Sequence, residues 1–365
     1  MRYQPLNVVE ISRLRLINNY KHLSSINHDV RIAPVLKSNA YGHGIVEVGS
    51  ILEKLNPVFF CVDSIYEAYQ LLRAQIKTPI LITGYVNPEN LSIKKLPFSY
   101  SVFDLEQLRG ILRYQPQAKI HLFVDTGMHR EGVRVDELEN FLGNLSTKEK
   151  NHIDGLVSHL ALAEDPKNID TKKQIDQFKK AISILKKHSI IPKFIHFGNS
   201  SGLINSHKIQ LSNITNVSRA GLALYGINSI NNKGLKPVLQ LKTHVVQVKK
   251  IIKGEKVGYD FTFEAKNNGK IAILPIGYND GVDRRLSDKG MVLIKNQLCP
   301  IIGRVSMNIS TVDVSGIKNI KVGDEVIIFS NSNNENNVEN SAKIIGAIPY
   351  EILVHLERST KRKII

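Results

Sequence analysis

The stretch from Ala33 to Gly44, APVLKSNAYGHG, is the most informative part of the chain. An apolar run ends at Lys37, a turn broken by glycine follows, and a periodic segment begins beyond it. This order is typical of a buried strand that leads through a tight turn into a helix. An amine at the carboxyl end of such a strand can lose its charge by desolvation and attack a carbonyl to form a Schiff base. A lone lysine after a strand is usually a surface residue, but this context makes Lys37 a candidate nucleophile.

Short apolar runs of the same kind alternate with helical segments as far as residue 225. They are continuously apolar, which is typical of strands buried on both faces of a sheet. Eight such strands, each followed by a helix, predict a (β/α)8 barrel, a fold of about 250 residues, with a doubly wound open sheet as the alternative. The predicted strands are Ala33–Leu36, Val58–Val62, Ile80–Ile82, Tyr100–Phe103, Ile120–Val124, Gly155–Val157, Phe194–Phe197 and Val217–Leu224.

Four polar residues between these runs fit the capping-box spacing or its aspartate variant, which marks the start of a helix. An apolar stripe at helical period follows the last of them. The predicted starts are Ser64, Asp104, Asp136 and Thr171, and the stripe is Ile175, Phe178, Ile182 and Leu185.

After Gly226 the sequence changes to short β-type runs separated by Gly, Asn and Asp, which predicts a second, mostly-β domain. A chain of 365 residues is also long for one core. We predict domains 1–230 and 231–365, and the first few residues could pair with the C-terminal domain. Ser330–Asn340 is predicted to be a polar, mobile loop. The predicted β runs are Val245–Val248, Lys270–Leu274, Met291–Ile294, Thr311–Val314 and Glu325–Phe329.

Composition narrows the classes of partner. The net charge is +16, but the lysines are scattered and form no basic stripe interleaved with aromatics, so we expect no nucleic-acid partner. No apolar stretch approaches the roughly 20 residues of a membrane span, and Met1 to Asn7 lack the apolar core of a secretory signal. The two cysteines, Cys61 and Cys299, lack metal-ligand spacing. We therefore expect a cytoplasmic protein without a disulfide, a metal or a membrane anchor.

Two further predicted strand ends carry groups suited to an anion. Asn199 and Ser200 end the seventh strand, and the eighth runs through Gly221 and Leu222. Barrels often bind phosphate in the loops after these two strands, at a helix amino end. Ser200 offers a hydroxyl, Gly221 allows close approach of backbone N–H groups, and Tyr41 offers a second hydroxyl. Taken singly, Asn-Ser is also a common helix cap and AGLAL a plausible core run.

Together, the K-x-N-A-Y-G-H-G string and these strand ends resemble the pyridoxal 5'-phosphate (PLP) site of alanine racemases. The resemblance implies PLP on Lys37, and a phosphate held by Tyr41, the Asn199-Ser200 pair and the Gly221-Leu222 backbone. It also implies that Arg219 donates to the pyridine nitrogen and that His196 orients it. Arginine is not deprotonated in proteins, so that nitrogen would stay unprotonated and the ring would be a weak electron sink. A short-lived carbanion suits a racemase.

Racemisation needs two acid/base groups, one on each face of the substrate Cα. By resemblance these are Lys37 and Tyr259, although Gly258 and Asp260 replace the serine and glycine of the family's V-S-Y-G motif. His159 resembles the histidine that contacts this tyrosine and lines the cofactor site. A tyrosine has a reference pKa near 10, so it needs nearby cations or donors to act as a base. In the family a partner's β domain covers each barrel mouth, which implies a homodimer with composite sites.

The substrate carboxylate needs a cation, and DTGMHR resembles the family's D-T-G-M-x-R, which assigns Arg130 to that role. Met307 matches the methionine whose backbone contacts the same group, and Tyr350 resembles a tyrosine at the cofactor site. Two departures stand out: Phe123 replaces a lysine that is often carbamylated, and Asn308 replaces an aspartate. Phenylalanine cannot be carbamylated, so Arg130 must find another acceptor, such as chloride, a side chain or water.

The resemblance covers both predicted domains and implies a PLP-dependent alanine racemase that supplies D-alanine for peptidoglycan. Three alternatives remain open at this point. A broad-specificity amino-acid racemase would share the same site. A related barrel decarboxylase would generally place a carboxylate, where this chain has Arg219, at the pyridine nitrogen. A non-catalytic PLP carrier would resemble the barrel alone.

Overall fold

The computed structural model describes residues 4–227 and 234–365. Two compact units are present. The barrel unit contains Ile17–Ser38 and the described residues of Val48–Leu235, and the β unit contains the residues up to Leu16 together with Asn39–Glu47 and Lys236–Ile365. The predicted boundary after residue 230 lies outside the described residues. None of the described helices is both long enough and apolar enough to cross a membrane.

The strands and helices of the described residues follow one another along the chain, and three of the helices run from one unit into the other. The strands are β1 (Val8–Ile11), β2 (Arg31–Pro34), β3 (Phe60–Val62), β4 (Ile80–Ile82), β5 (Phe98–Val102), β6 (Lys119–Asp125), β7 (Val133–Arg134), β8 (Ile153–Val157), β9 (Phe194–His196), β10 (Val217–Ala220), β11 (Leu239–His244), β12 (Gln247–Ile251), β13 (Lys256–Val257), β14 (Phe263–Glu264), β15 (Gly269–Leu274), β16 (Met291–Ile294), β17 (Gln297–Pro300), β18 (Ser310–Asp313), β19 (Glu325–Phe329) and β20 (Lys361–Ile364). The helices are α1 (Arg13–Ile26), α2 (Lys37–Tyr41), α3 (Ile45–Leu52), α4 (Ile65–Arg73), α5 (Leu105–Tyr114), α6 (Leu138–Gly143), α7 (Thr147–Lys150), α8 (Ile169–Lys187), α9 (Ser200–Ile204), α10 (Val338–Ile345) and α11 (Pro349–Val354). Short 3-10 helices cover Glu53–Leu55, Pro88–Leu91, Leu211–Asn213, Leu222–Tyr225, Tyr259–Phe261, Tyr278–Asp280 and Arg284–Leu286.

The barrel unit is built on parallel strands in the order β2-β10-β9-β8-β6-β5-β4-β3, with β7 paired to the end of β6. The two ends of this sheet meet. Val35 forms a parallel bridge with Cys61, and the Leu36 N–H donates to the Cys61 carbonyl at 2.7 Å. This closure confirms the predicted (β/α)8 barrel followed by a mostly-β region, and the open-sheet alternative is wrong.

The barrel core shows why its strands are apolar throughout. Ala33, Phe59, Cys61, Leu81 and Val217 form one buried cluster, drawn from four different strands and the residue before β3. Strand ends differ from the predictions by a few residues. The largest difference follows β10, where the predicted strand Val217–Leu224 stops at Ala220. The chain there turns into the 3-10 helix Leu222–Tyr225, so AGLAL is a buried turn.

Two of the four predicted helix starts are correct. Ser64 and Asp104 accept hydrogen bonds from the N–H groups three residues on and cap α4 and α5. The prediction for Asp136 is wrong because its carboxylate is paired with Arg134, and α6 begins at Leu138. The prediction for Thr171 is wrong because Asn168 caps α8 three residues earlier. In the predicted stripe of α8, Ile175, Phe178 and Leu185 are buried and Ile182 is half-buried.

The β unit contains the short strands predicted after Gly226, with boundaries that differ by a few residues. Its larger sheet has the order β17-β16-β19-β11-β1-β20, and a second sheet joins β12, β15 and β18. The early strand β1 pairs with β11 and β20. The predicted strand Val245–Val248 spans the break between β11 and β12. The prediction of a loop over Ser330–Asn340 is wrong at its end, because α10 begins at Val338. Within the stretch, Asn336 is buried and donates to the Ile327 carbonyl at 2.9 Å.

Candidate active site

The candidate cofactor residues of the barrel unit lie at the carboxyl ends of three adjacent strands. Lys37 follows β2, Asn199 and Ser200 follow β9, and Gly221 and Leu222 follow β10. In the sheet, β10 pairs with β9 on one side and with β2 on the other. Parallel strands present their carboxyl ends at one rim, so these groups share the mouth of the barrel, where barrel enzymes carry their active sites.

The short helix α2 is a single left-handed turn that begins at Lys37. Ser38, Asn39, Ala40 and Tyr41 all have φ between 51° and 55°. This conformation costs roughly 1–2 kcal/mol per non-glycine residue, so it persists only where surrounding contacts impose it. The Gly44 N–H donates to the Asn39 carbonyl at 2.9 Å, and the Ile45 N–H donates to the Asn39 side chain at 2.9 Å, ahead of α3. The predicted strand-turn-helix is therefore present, with an unusual backbone in the turn.

The Lys37 amine is accessible and lies beside a carboxylate. Its Nζ is 3.5 Å from Asp63 Oδ1, and the two side chains are 43% and 55% exposed. Asp63 follows β3, and its N–H donates to the buried Glu67 side chain at 2.9 Å, which fixes its backbone. An exposed ion pair of this kind contributes little to stability, so its significance lies in its position at the candidate nucleophile.

Ser200 joins the two loops that were predicted to hold a phosphate. Its hydroxyl accepts hydrogen bonds from the Gly221 N–H at 3.0 Å and the Ala223 N–H at 3.4 Å. Asn199 caps α9 by accepting from the Gly202 N–H at 2.9 Å. The Ser200 hydroxyl keeps its own O–H to donate, and a bound phosphate monoester would compete with its oxygen for the N–H groups at the start of the 3-10 helix.

Arg219 is buried and held from two sides. Its Nη1 donates to His196 Nδ1 at 3.0 Å and to the His196 carbonyl at 2.9 Å. Its Nη2 donates to the Ser158 carbonyl at 2.7 Å and to His159 Nδ1 at 2.9 Å. Beyond it, His196 Nε2 lies 2.7 Å from His121 Nδ1. Four contacts of this quality fix the plane of the guanidinium.

The three histidines around Arg219 are neutral. Burial, reinforced by the charge of Arg219, lowers the pKa of His121 and His159 to about 3. Burial also lowers the pKa of His196 well below its usual 6.5, with help from His121 and Arg219. Because arginine can only donate, His196 accepts at Nδ1 and must donate from Nε2 to His121. The hydrogen bonds therefore run in one direction, away from the cation.

Arg130 lies in the loop after β6, and that loop is organised by Asp125. The Asp125 carboxylate accepts from the N–H groups of Gly127, Met128 and His129 at 2.9, 3.0 and 3.1 Å. Burial alone would raise the pKa of Asp125, but these hydrogen bonds lower it below its usual value. The Asp125 carboxylate therefore fixes the backbone of the loop that carries Arg130, because three consecutive N–H groups of that loop donate to it.

The acceptor for Arg130 is a side chain. Its Nε donates to the Glu131 carboxylate, and both side chains remain partly exposed. Phe123, where a carbamylated lysine would stand, is buried against Phe103 with ring centroids 5.7 Å apart. The position therefore belongs to a small aromatic cluster, and Glu131 provides a negative charge that Phe123 cannot supply.

The remaining candidates lie in the β unit. Tyr41 is buried, and its ring centroid is 5.9 Å from that of Tyr350. Tyr259 begins the short 3-10 helix Tyr259–Phe261 within one loop, and Met307 lies on another; they are 68% and 56% exposed. The two loops are in contact, because Arg304 Nε lies 3.4 Å from the Asp260 carboxylate and a Cβ on Gly258 would meet the Arg304 nitrogen at 3.2 Å.

Three residues near these candidates were not identified from the sequence. Asp63 directly follows a predicted strand, which is the same signal that identified Lys37. His121 is a polar residue within a run predicted to be buried on both faces, which was a usable signal. Arg362, in the C-terminal strand β20, donates to the Gly42 carbonyl, and no local sequence pattern indicated this contact. No cluster of metal-ligating side chains is present in residues 4–227 and 234–365.

Comparisons with known proteins agree over nearly the whole chain. Residues 11–229 match the family described as alanine racemase, N-terminal domain, and residues 238–364 match its C-terminal domain. The chain is 32% identical to alanine racemase 1 of Caldanaerobacter subterraneus subsp. tengcongensis, covering 97% of this chain and 93% of that protein. It is 33% identical to the alanine racemase of Clostridium tetani, covering 97% and 94%.

Solved structures give the same result. The alanine racemase of Clostridium difficile 630 superposes with a TM-score of 0.91 at 27% identity, covering 100% of this chain and 97% of that one. The Bacillus anthracis enzyme, solved with bound L-Ala-P, gives 0.89 at 29% identity, with 100% and 96% covered. The Bartonella henselae enzyme, solved with covalently bound pyridoxal phosphate, gives 0.85 at 25% identity, with 99% and 100% covered.

Proposed function

The chain belongs to the alanine racemase family, and on that premise we propose how its residues divide the work of a PLP-dependent interconversion of L- and D-alanine. The decarboxylase, carrier and broad-specificity alternatives are not favoured by these relatives, which are all named alanine racemases. The single observation that carries the assignment of residues is the shared rim. Lys37, Ser200 and Gly221 end three adjacent strands, and Arg219 lies fixed in the middle one.

The donor set at this rim fits PLP. Lys37 would hold the aldehyde carbon covalently, while Tyr41, Ser200 and the Gly221-Leu222 backbone would bind the phosphate, with Asn199 shaping its loop and Tyr350 packed beside Tyr41. His159 would line the ring. When bound, PLP supplies a conjugated ring that withdraws electrons from the substrate Cα. The buried guanidinium of Arg219 would donate to the ring nitrogen without giving up its proton.

The protons would be moved by two side chains. We assign Lys37 to one face of the substrate Cα and Tyr259 to the other. Arg130 would bind the substrate carboxylate, which would compete with Glu131 for the guanidinium, and the Met307 backbone would contact the same carboxylate. The neutral histidines hold Arg219 rather than exchange protons at neutral pH, because the pKa of His121 and of His159 is about 3.

The exposure of Tyr259 supports a homodimer with composite sites. Tyr259, Phe261 and Met307 are 68%, 65% and 56% exposed on adjacent loops of the β unit. A surface of this kind on a folded chain usually marks an interface. We propose that this surface of a second copy covers the barrel mouth, so that Tyr259 of one copy serves Lys37 of the other. We also propose a cytoplasmic enzyme that supplies D-alanine for peptidoglycan, consistent with two buried, unpaired cysteines.

The test is chiral analysis of alanine incubated in deuterated water with purified protein and PLP. We expect L-alanine alone and D-alanine alone each to be converted into a mixture of both enantiomers, with deuterium at Cα. Lys37→Ala protein should produce neither the opposite enantiomer nor deuterated alanine. Cα exchange without inversion would contradict the two-base assignment, and the absence of any exchange by the wild-type protein would contradict catalysis itself.

A further inference from the structure

The strained turn after Lys37 is tied down by a residue near the carboxyl terminus of the chain. The Gly42 carbonyl accepts from Arg362 Nε at 3.2 Å and from Nη2 at 3.0 Å. One carbonyl oxygen therefore receives both arms of a guanidinium fork. This is a charge-assisted contact to the backbone of the turn itself.

Arg362 is itself held in place. Its Nη1 donates to the carbonyls of Glu357, Arg358 and Thr360 at 2.6, 2.9 and 2.5 Å. Its strand, β20, pairs in parallel with β1, and Arg362 is opposite Val9. The side chain is half-buried, unlike its exposed neighbours on the strand. Because these three carbonyls and the pairing of β20 hold the guanidinium in place, it restrains the Gly42 carbonyl that it binds.

The backbone of the turn needs such an anchor. Four consecutive non-glycine residues, Ser38–Tyr41, have positive φ, and Gly42 continues with φ 78°. A Cβ on Gly42 would lie 2.0 Å from the Leu353 carbonyl oxygen, so this part of the chain also packs closely against α11. L-residues leave this region of φ and ψ when nothing opposes it. Together with this packing, the hydrogen bonds from Arg362 to the Gly42 carbonyl oppose such a change from outside the turn.

We propose that Arg362 is a positioning residue for the reaction: by holding the Gly42 carbonyl, it keeps Lys37 and Tyr41 at the two ends of a left-handed turn. This inference rests on the proposed roles of those two residues. If the clamp is lost, the turn relaxes toward ordinary backbone geometry. The amine and the phosphate-binding hydroxyl then lose their fixed relation, and PLP binds more weakly to the cofactor-free protein.

The experiment compares Arg362→Met and Arg362→Lys with Arg358→Ala, which removes an exposed arginine from the adjacent turn. Hydrogen exchange of the peptide covering residues 38–47 is measured in the cofactor-free protein, followed by titration with PLP. We expect Arg362→Met to speed exchange in that peptide by about tenfold or more and to weaken PLP affinity by a similar factor, the effect of losing a hydrogen bond from a charged donor. Arg362→Lys should be intermediate and Arg358→Ala unchanged.

Two outcomes would overturn the inference: unchanged exchange in the turn, or faster exchange with unchanged PLP affinity. If Arg362→Met does not fold, Arg362→Lys provides the same comparison. If the wild-type protein binds no PLP, the proposed function is what fails. The exchange measurement still decides, independently, whether Arg362 holds the turn.

Discussion

The barrel unit and the β unit present their candidate catalytic groups in opposite ways. In the barrel unit, Arg219 is 7% exposed and has four hydrogen bonds to neighbouring strands and loops. In the β unit, Tyr259 is 68% exposed on a turn whose next residue, Asp260, has φ 61°. The first group is preorganised by its own chain, whereas the second lies on a solvent-facing loop.

This contrast predicts which substitutions affect both stability and activity and which affect activity alone. A residue that is buried and bonded on several sides contributes to folding, so its substitution should affect both properties. A residue exposed on a loop contributes little to folding, so its substitution should affect activity alone.

Tyr259→Phe should lower racemase activity by about 10²–10⁴-fold, the usual contribution of a positioned acid/base group, and leave the free energy of unfolding within about 0.5 kcal/mol. Mixing it with Lys37→Ala protein under subunit exchange should restore about a quarter of wild-type activity, because half of a random mixture is heterodimer with one intact site. Tyr114→Phe, at the end of α5, is the matched control. If the mixture is no more active than its parents, sites are not shared between subunits.

Arg219→Lys should lower activity about 10- to 100-fold and also destabilise the protein by about 1–3 kcal/mol. Lysine keeps the charge but cannot reach the carbonyls of Ser158 and His196 together with two imidazoles. Denaturant unfolding and steady-state kinetics measure the two effects, with the exposed Arg113→Lys as the control. A change in activity at constant stability would mean that the network around Arg219 is not structural.

Acid should destabilise the barrel unit before its carboxylates titrate. In the unfolded chain histidines bind protons near pH 6.5, whereas folded His121 and His159, with a pKa of about 3, stay neutral. The unfolded state therefore binds more protons, and stability falls as the pH drops from about 6.5, by up to about 1.4 kcal/mol per pH unit for each histidine. Denaturant unfolding at several pH values measures the slope. His121→Asn should reduce it and the exposed His28→Gln should not; equal slopes would refute the burial argument.

Bicarbonate should have no effect on activity. Phe123 packs against Phe103 where a carbamylated lysine would stand, and Glu131 already accepts from Arg130. Assays in degassed buffer with and without added bicarbonate test this. Glu131→Gln is expected to lower KM for alanine, several-fold at most, because it removes the carboxylate that competes with the substrate for Arg130 and the pair is partly exposed. A rate that depends on bicarbonate would mean that another group near Arg130 is carbamylated.

The sequence was sufficient for the barrel and the rim because both depend on local patterns. Continuous apolar runs gave the strands of the closed sheet, and the residue after a run gave Lys37 and Ser200. The same rule applied to Val58–Val62 would have identified Asp63. Capping patterns succeeded at Ser64 and Asp104.

Long-range contacts explain what the sequence did not reveal. Asp136 fits a helix-cap pattern, but its carboxylate accepts hydrogen bonds from Arg134 instead, and spacing alone does not identify that partner. The left-handed turn at Ser38–Tyr41 contradicts the intrinsic preference of its residues, and the carbonyl of the next residue, Gly42, is held by Arg362, 320 positions further along the chain. Tertiary contacts override local preference at such sites, and functional sites are where this is expected.

The central claim is that the amine at the end of β2 is the group that holds the cofactor. The most direct measurement is borohydride reduction of the protein incubated with PLP, followed by peptide mapping. We predict a single reduced adduct on Lys37 in the wild-type protein and none in Lys37→Ala. An adduct that maps to another lysine, or no adduct at all, would contradict the account.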